Sequence, residues 1–70
     1  VDMSVDFGGH IYLFEFKVVE QLPEGKALEQ IKHKGYADKH RASGKPIHLI
    51  GVEFSSVERQ IVAFEVETLK

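Results

Sequence analysis

The segment VDMSVDFGGHIYLFEFKVV, residues 1–19, is the most informative part of the chain for its fold. Apolar and polar residues alternate from Val1 to Phe7, which is the pattern of a β-strand with one apolar and one polar face. Gly8-Gly9 interrupts the alternation, and the β-branched and aromatic run from His10 to Val19 predicts a second strand. Two strands separated by a pair of glycines predict a hairpin closed by a tight turn.

The rest of the chain predicts one helix and two further strands. Lys26–Ala42 has helical spacing of its apolar residues, and Ser43-Gly44-Lys45-Pro46 supplies a glycine stop with a proline beyond it. Ile47–Phe54 is a largely apolar strand, and Gln60–Val66 is a fourth. The predicted order is ββαββ with one main helix. A strand, helix, strand connection joins parallel strands, so we expect an α/β fold with a mixed sheet.

Composition indicates a small globular domain. The chain has 70 residues, 43% of them hydrophobic, and no cysteine, so a partner subunit is expected to supply burial that a disulfide cannot, and we predict a homo-oligomer such as a dimer. No apolar run approaches the roughly 20 residues that cross a bilayer, and no signal core follows the N-terminus, so a cytoplasmic protein without a membrane partner is expected. The net charge of −2 gives no overall attraction for nucleic acid.

The hairpin register brings two acids together. If Gly8 and Gly9 are the turn residues, residues whose numbers sum to 17 lie opposite each other, and Asp2 faces Glu15. Opposed side chains have Cβ atoms about 4.5–5.5 Å apart, where two like charges are destabilising unless something compensates. Lys17 emerges on the same face as Glu15, because side chains alternate along a strand.

This arrangement suits the metal-assisted hydrolysis of a phosphodiester. Asp2 and Glu15 would hold a hard cation through oxygen, with Mg²⁺ the natural candidate and Mn²⁺ an alternative, and Lys17 would position the attacking water. The competing interpretation is a solvated face on which Lys17 forms an ordinary salt bridge with the two acids. Glu15 argues against it, because it interrupts a strand that otherwise looks buried on both faces.

The order of these blocks resembles a known family. Asp2 precedes Glu15-Phe16-Lys17, a helix with Ala27-Leu28-Glu29-Gln30-Ile31 and Lys34-Gly35-Tyr36-Ala37 follows, and Ile47-His48-Leu49-Ile50-Gly51-Val52-Glu53-Phe54 comes next. This series resembles the PD-(D/E)XK nuclease superfamily, and within it the branch found C-terminal to an AAA-ATPase-like domain in bacterial proteins.

The resemblance implies a restriction-endonuclease-like domain that hydrolyses phosphodiester bonds in DNA. Asp2, Glu15 and Lys17 match the catalytic residues, with Asp2 and Glu15 as the metal ligands, while Gln30 and Tyr36 match helix positions that support the site or contact DNA. The family core also has a helix and a strand ahead of the aspartate, so we expect residues 1–70 to be a partial core excised from a longer chain. The alternative is an inactive module for oligomerisation or for docking beside the ATPase-like domain.

Other polar residues have simpler interpretations. Asp6 lies nearer the turn than Asp2 and is predicted to be a solvated edge carboxylate. His33 and His40 lie on one helical face, which suggests a metal or phosphate contact, but surface histidines are common and no third ligand is evident. Most of the lysines and arginines lie on the helix and its exit, where a solvated face of mixed charge is favoured over a phosphate-binding stripe.

Overall fold

The computed structural model describes residues 2–33 and 35–69. The chain forms six elements in the order β1 (Met3–Phe7), β2 (His10–Val19), α1 (Lys26–His33), a 3₁₀ helix (Tyr36–Ser43), β3 (Ile47–Ser55) and β4 (Gln60–Leu69). Within this described part, neither helix has the length and apolar character needed to cross a membrane.

The strands form one mixed sheet in the order β1-β2-β3-β4. β1 and β2 are antiparallel, β2 and β3 are parallel, and β3 and β4 are antiparallel. The predicted hairpin and the predicted parallel third strand are therefore confirmed. Parallel pairing of β2 with β3 requires a crossover connection, and α1 with the 3₁₀ helix supplies it.

The predicted helix Lys26–Ala42 forms as two separate pieces. Gly35 has a φ of 64°, and this left-handed backbone ends the α-helical region before the 3₁₀ helix begins. Gly44 has a φ of 72°, and its N–H donates to the carbonyl of Arg41 at the end of the 3₁₀ helix. The observed order is thus ββα, a 3₁₀ helix, then ββ, rather than ββαββ with one main helix.

The hydrophobic core lies between the helices and one face of the sheet. Ile31 of α1 is fully buried and packs with the apolar side chains of β2 and β3 that alternate toward it. Leu28 and Leu69 cover the edges of this cluster. The core residues are Ile11, Leu13, Ile31, Ala37, Ile47 and Leu49.

The opposite surface of the sheet carries exposed apolar side chains, and we name it the open face. Its residues pair across the strands, as in Phe14 with Ile50 and Ile50 with Val66. Contiguous exposed apolar surface on a soluble protein marks an interaction site more often than scattered single residues do. The exposed members of the open face are Met3, Val5, Phe7, Phe16, Val18, Phe54, Ile61, Phe64 and Val66.

Candidate active site

The glycine turn sets the register of the hairpin. Gly8 and Gly9 both have positive φ, at 61° and 82°, as a two-residue turn between antiparallel strands requires. Phe7 pairs with His10, and the same register continues to the pair Met3 and Phe14. The ladder therefore follows the predicted register along the whole of β1.

Asp2 lies immediately before β1 and is held against β2. Its backbone N–H donates to the carbonyl of Phe14 at 2.9 Å, and its Oδ2 accepts the backbone N–H of Phe16 at 2.7 Å. The carboxylate thus takes a position that a main-chain carbonyl would take if the ladder continued. Because Phe16 lies between Glu15 and Lys17 in β2, Asp2 is brought to the same end of the hairpin as both of them.

Glu15 is buried beneath α1. Only 7% of the residue is exposed, and its Oε2 accepts a hydrogen bond from Nε2 of Gln30 at 3.2 Å. Glu15 lies beside Gly51 in the parallel pair. A Cβ on Gly51 would lie 2.4 Å from the backbone nitrogen of Leu28, so the glycine allows α1 to approach the sheet closely enough for Gln30 to reach Glu15.

Glu53 is a polar residue of this region whose function the sequence did not reveal. It is 1% exposed, lies beside Lys17 in the β2 and β3 pairing, and accepts the backbone N–H groups of Glu24, Lys26 and Ala27 at 2.6, 2.6 and 3.3 Å. The Lys26 and Ala27 groups belong to the first turn of α1, where backbone N–H groups have no partner within the helix. Glu53 is therefore the N-terminal cap of α1, supplied from another strand.

The carboxylate of Glu53 is stabilised in its charged form. Burial raises the pKa of Glu53, but hydrogen bonds from the backbone of Glu24, Lys26, Ala27 and Gly25 outweigh burial and hold the pKa below its ordinary value. A glutamate inside the apolar run Ile47–Phe54 was the available signal, because a buried acid needs partners.

Lys17 lines a small cleft beside the buried acid. The cleft has a volume of about 160 Å³, and α1 contributes Lys26, Glu29, Gln30 and His33 to its walls. Gln30 joins the two regions, since it lines the cleft and also donates to Glu15. A lysine, a buried carboxylate and an exposed carboxylate thus lie around one end of β2.

The remaining predicted residues lie in several places. The side chain of Tyr36 is outside the part of the chain that the structure describes, so its predicted role stays a prediction. Asp6 accepts hydrogen bonds from Lys45 at 2.9 and 3.0 Å and is exposed, as expected for an edge carboxylate. His33 lies at the cleft, while His40 lies on the 3₁₀ helix. Among the described residues, no three or more His, Cys, Asp or Glu side chains are grouped for a metal.

A mixed sheet with a parallel helical crossover, and with acids and a lysine at one end of a hairpin, is consistent with the restriction-endonuclease-like class of α/β domains. Comparison of the sequence with known families assigns the chain to one superfamily within that class. The model of the PD-(D/E)XK nuclease superfamily matches residues 1–64, and the chain belongs to this superfamily. Membership suggests a nuclease-type function.

One relative is known by its position in a genome. The "Uncharacterized protein in vnfD 5'region" of Azotobacter chroococcum mcd 1 is 65% identical over 69 residues, which are 99% of this chain. The same residues are 13% of the relative, so the chain spans a small part of that protein's length. No solved structure gives a significant match to the chain.

Proposed function

We propose that this chain is the catalytic part of a metal-dependent nuclease that hydrolyses phosphodiester bonds in DNA. The observation that carries the proposal is the 2.7 Å hydrogen bond from the Phe16 N–H to Asp2, which holds one carboxylate beside the strand residues Glu15 and Lys17. Two carboxylates and a lysine at one end of a hairpin give this region both negative and positive charge. That combination suits an anionic substrate bound through a cation.

The residues fit a hard divalent cation. Asp2 and Glu15 would bind Mg²⁺, or Mn²⁺, through carboxylate oxygen, and Mg²⁺ is commonly held by one or two carboxylates while keeping several waters. A bound cation of this kind would lower the pKa of a coordinated water and offset charge on the phosphate. Burial of Glu15 at 7% exposure limits its access to bulk water, which strengthens its attraction for a positive charge.

The side chains of the chain itself have separate tasks in this proposal. Gln30 donates to one oxygen of Glu15 and so fixes the orientation of that carboxylate. Lys17, half-buried at the cleft, would orient the attacking water through its ammonium group and offset negative charge on the phosphate oxygens. Asp2 is fixed through Phe16, so its carboxylate loses little freedom when a ligand binds.

Cleavage of supercoiled plasmid DNA by the intact protein that contains this chain tests the proposal. With Mg²⁺ present, we expect Lys17→Ala to lower the cleavage rate by about 10²-fold or more, as loss of a positioned catalytic group does. The matched control is Lys45→Ala, since Lys45 pairs with Asp6 near the glycine turn. Equal rates for the wild type and Lys17→Ala would refute the assignment of Lys17.

A second candidate function is assembly, and the open face favours it. An exposed apolar sheet surface gains stability when another body covers it, and a second copy of the chain or the AAA-ATPase-like domain expected in the same parent protein would do so. In this alternative the nuclease-like fold is an inactive docking module. Calorimetric titration with Mg²⁺ separates the two, because an inactive module gives no binding heat that depends on Asp2 and Glu15.

A further inference from the structure

Several basic side chains of the helical region and its exit fall into two groups. In the first group, each cation forms an exposed ion pair at 2.9 Å with an acid of the same or another element. Pairs of this kind contribute little energy, but they neutralise the cation locally. They are Lys32 with Glu67, Arg41 with Asp38, and Lys45 with Asp6.

The second group consists of Lys26 and His33, which lie on α1 beside Lys17. Both are exposed, and both line the 160 Å³ cleft together with Gln30. Residues 26, 30 and 33 are spaced by four and three positions, so they form one continuous row along the helix. Lys26 and His33, at the two ends of the row, each carry a nitrogen that can donate a hydrogen bond. Gln30, at its centre, donates to Glu15.

The positive character of the row comes from its side chains. The backbone N–H groups of Lys26 and Ala27 already donate to Glu53, so the start of the helix is occupied by a carboxylate of the protein. The Lys26 side chain remains exposed above that cap. Glu29 also lines the cleft and reduces its charge, but Lys17 and Lys26 still outnumber it.

We infer that Lys26 and His33 bind the backbone phosphate of a DNA strand next to the phosphodiester that is cleaved. This inference rests on the proposed function and names contacts of its substrate. Lys26 supplies a point charge and His33 a ring N–H donor, two common phosphate contacts. Contacts of this type carry no base specificity, so Lys26 and His33 set the path of the strand across α1 and leave sequence choice to other parts of the protein.

Salt-dependent binding of a short fluorescein-labelled DNA duplex to the intact protein, in EDTA, tests the inference. Each phosphate contact from a cation releases about 0.9 counterion from duplex DNA. Lys26→Ala is therefore expected to lower the slope of log affinity against log salt by about 0.9, and to weaken binding about eightfold in 0.1 M KCl. Lys32→Ala is the matched control on the same helix, and its slope should equal that of the wild type.

The fold is expected to survive these substitutions. Lys26→Ala keeps the backbone N–H that donates to Glu53, and alanine is the best helix former. His33→Ala removes a donor from the last turn of α1 and should weaken binding by about tenfold, the loss of one hydrogen bond to a charged group. Far-ultraviolet circular dichroism that matches the wild type verifies that any loss of affinity is local.

The outcomes separate the inference from the proposed function. A lower slope for Lys26→Ala and weaker binding for His33→Ala, with Lys32→Ala unchanged, supports the inference. If the wild type cleaves plasmid DNA but both variants bind the duplex as tightly as Lys32→Ala does, the inference is refuted and the proposed function stands. A wild type that neither binds nor cleaves duplex or single-stranded DNA refutes both.

Discussion

Replacing Gly51 by alanine is expected to disturb the candidate site without touching any of its side chains. The new Cβ would lie 2.4 Å from the backbone nitrogen of Leu28 and 2.8 Å from its Cα, whereas ordinary contact begins at 3.4 Å. Backbone atoms of a helix cannot rotate away as a flexible side chain can. The part of α1 around Leu28, which includes Gln30, must therefore retreat from β3 by about 1 Å, the amount needed to restore ordinary contact.

A retreat of that size has two consequences. The hydrogen bond from Gln30 to Glu15 is already 3.2 Å long, and an additional ångström takes it beyond the range of a hydrogen bond. The cap that Glu53 forms on α1 is strained in the same movement. Overpacking typically costs about 1–3 kcal/mol, a large share of the roughly 3–10 kcal/mol that stabilises a domain of this size.

Urea denaturation measures the loss of stability, and the chemical shift of the Gln30 side-chain amide reports its contact with Glu15. Gly44→Ala is the matched control, since Gly44 has a φ of 72° and nothing within 4 Å of an added Cβ. Its cost of about 1 kcal/mol is purely conformational, so the Gln30 amide signal should not move. An unchanged Gln30 signal and unchanged stability in Gly51→Ala would refute the close approach of α1.

Three other outcomes follow from the same structure. Glu53→Gln should lower the free energy of unfolding at neutral pH by about 2–3 kcal/mol, because charged hydrogen bonds to the helix start are lost. The folded pKa of Glu53 is depressed, so its contribution to stability is present above the unfolded pKa and is lost as pH falls through the folded value. The free energy of unfolding measured with urea should therefore fall more steeply from neutral to acidic pH in the wild type than in Glu53→Gln. Phe64→Lys should weaken self-association of the chain, measured by light scattering. Leu22→Lys should not, because Leu22 is exposed and apolar but lies outside the open face. Glu15→Gln should abolish the calorimetric signal of Mg²⁺ binding, and Asp6→Asn should keep it.

The strands were predictable because their signals are local. Alternation along residues 1–7 and the glycine pair determine the hairpin and its register without help from distant residues. The length of the connection predicted that β3 lies parallel to one strand of the hairpin, and in the structure that strand is β2. Each of these features depends on side-chain period or on turn chemistry, which a single sequence displays directly.

The arrangement around α1 was not predictable in the same way. The helix pattern continues past Gly35 in composition, yet the backbone there is left-handed, and tertiary packing of Ala37 against the core outweighs the helical tendency of that region. The cap that Glu53 provides joins residues far apart in the sequence. A glycine inside a strand is compatible with either a bulge or a close backbone contact, and only the position of Leu28 identifies Gly51 as the second.

The candidate site combines both kinds of information, and this explains which parts of it the sequence could reveal. Asp2 and Glu15 are thirteen positions apart, and a two-residue turn is what brings that separation to one end of a hairpin. An inserted residue in the turn would shift the register of the edge strand β1 and carry Asp2 to the opposite face of the sheet, while the pairing of β2 with β3 keeps Glu15 beneath α1. The chemistry of the acids thus depends on Gly8 and Gly9 at the far end of the hairpin. Gln30 depends instead on the helix position that Gly51 permits, so insertions in the turn should change where Asp2 lies relative to Glu15, and substitutions at Gly51 should change how firmly Glu15 is held.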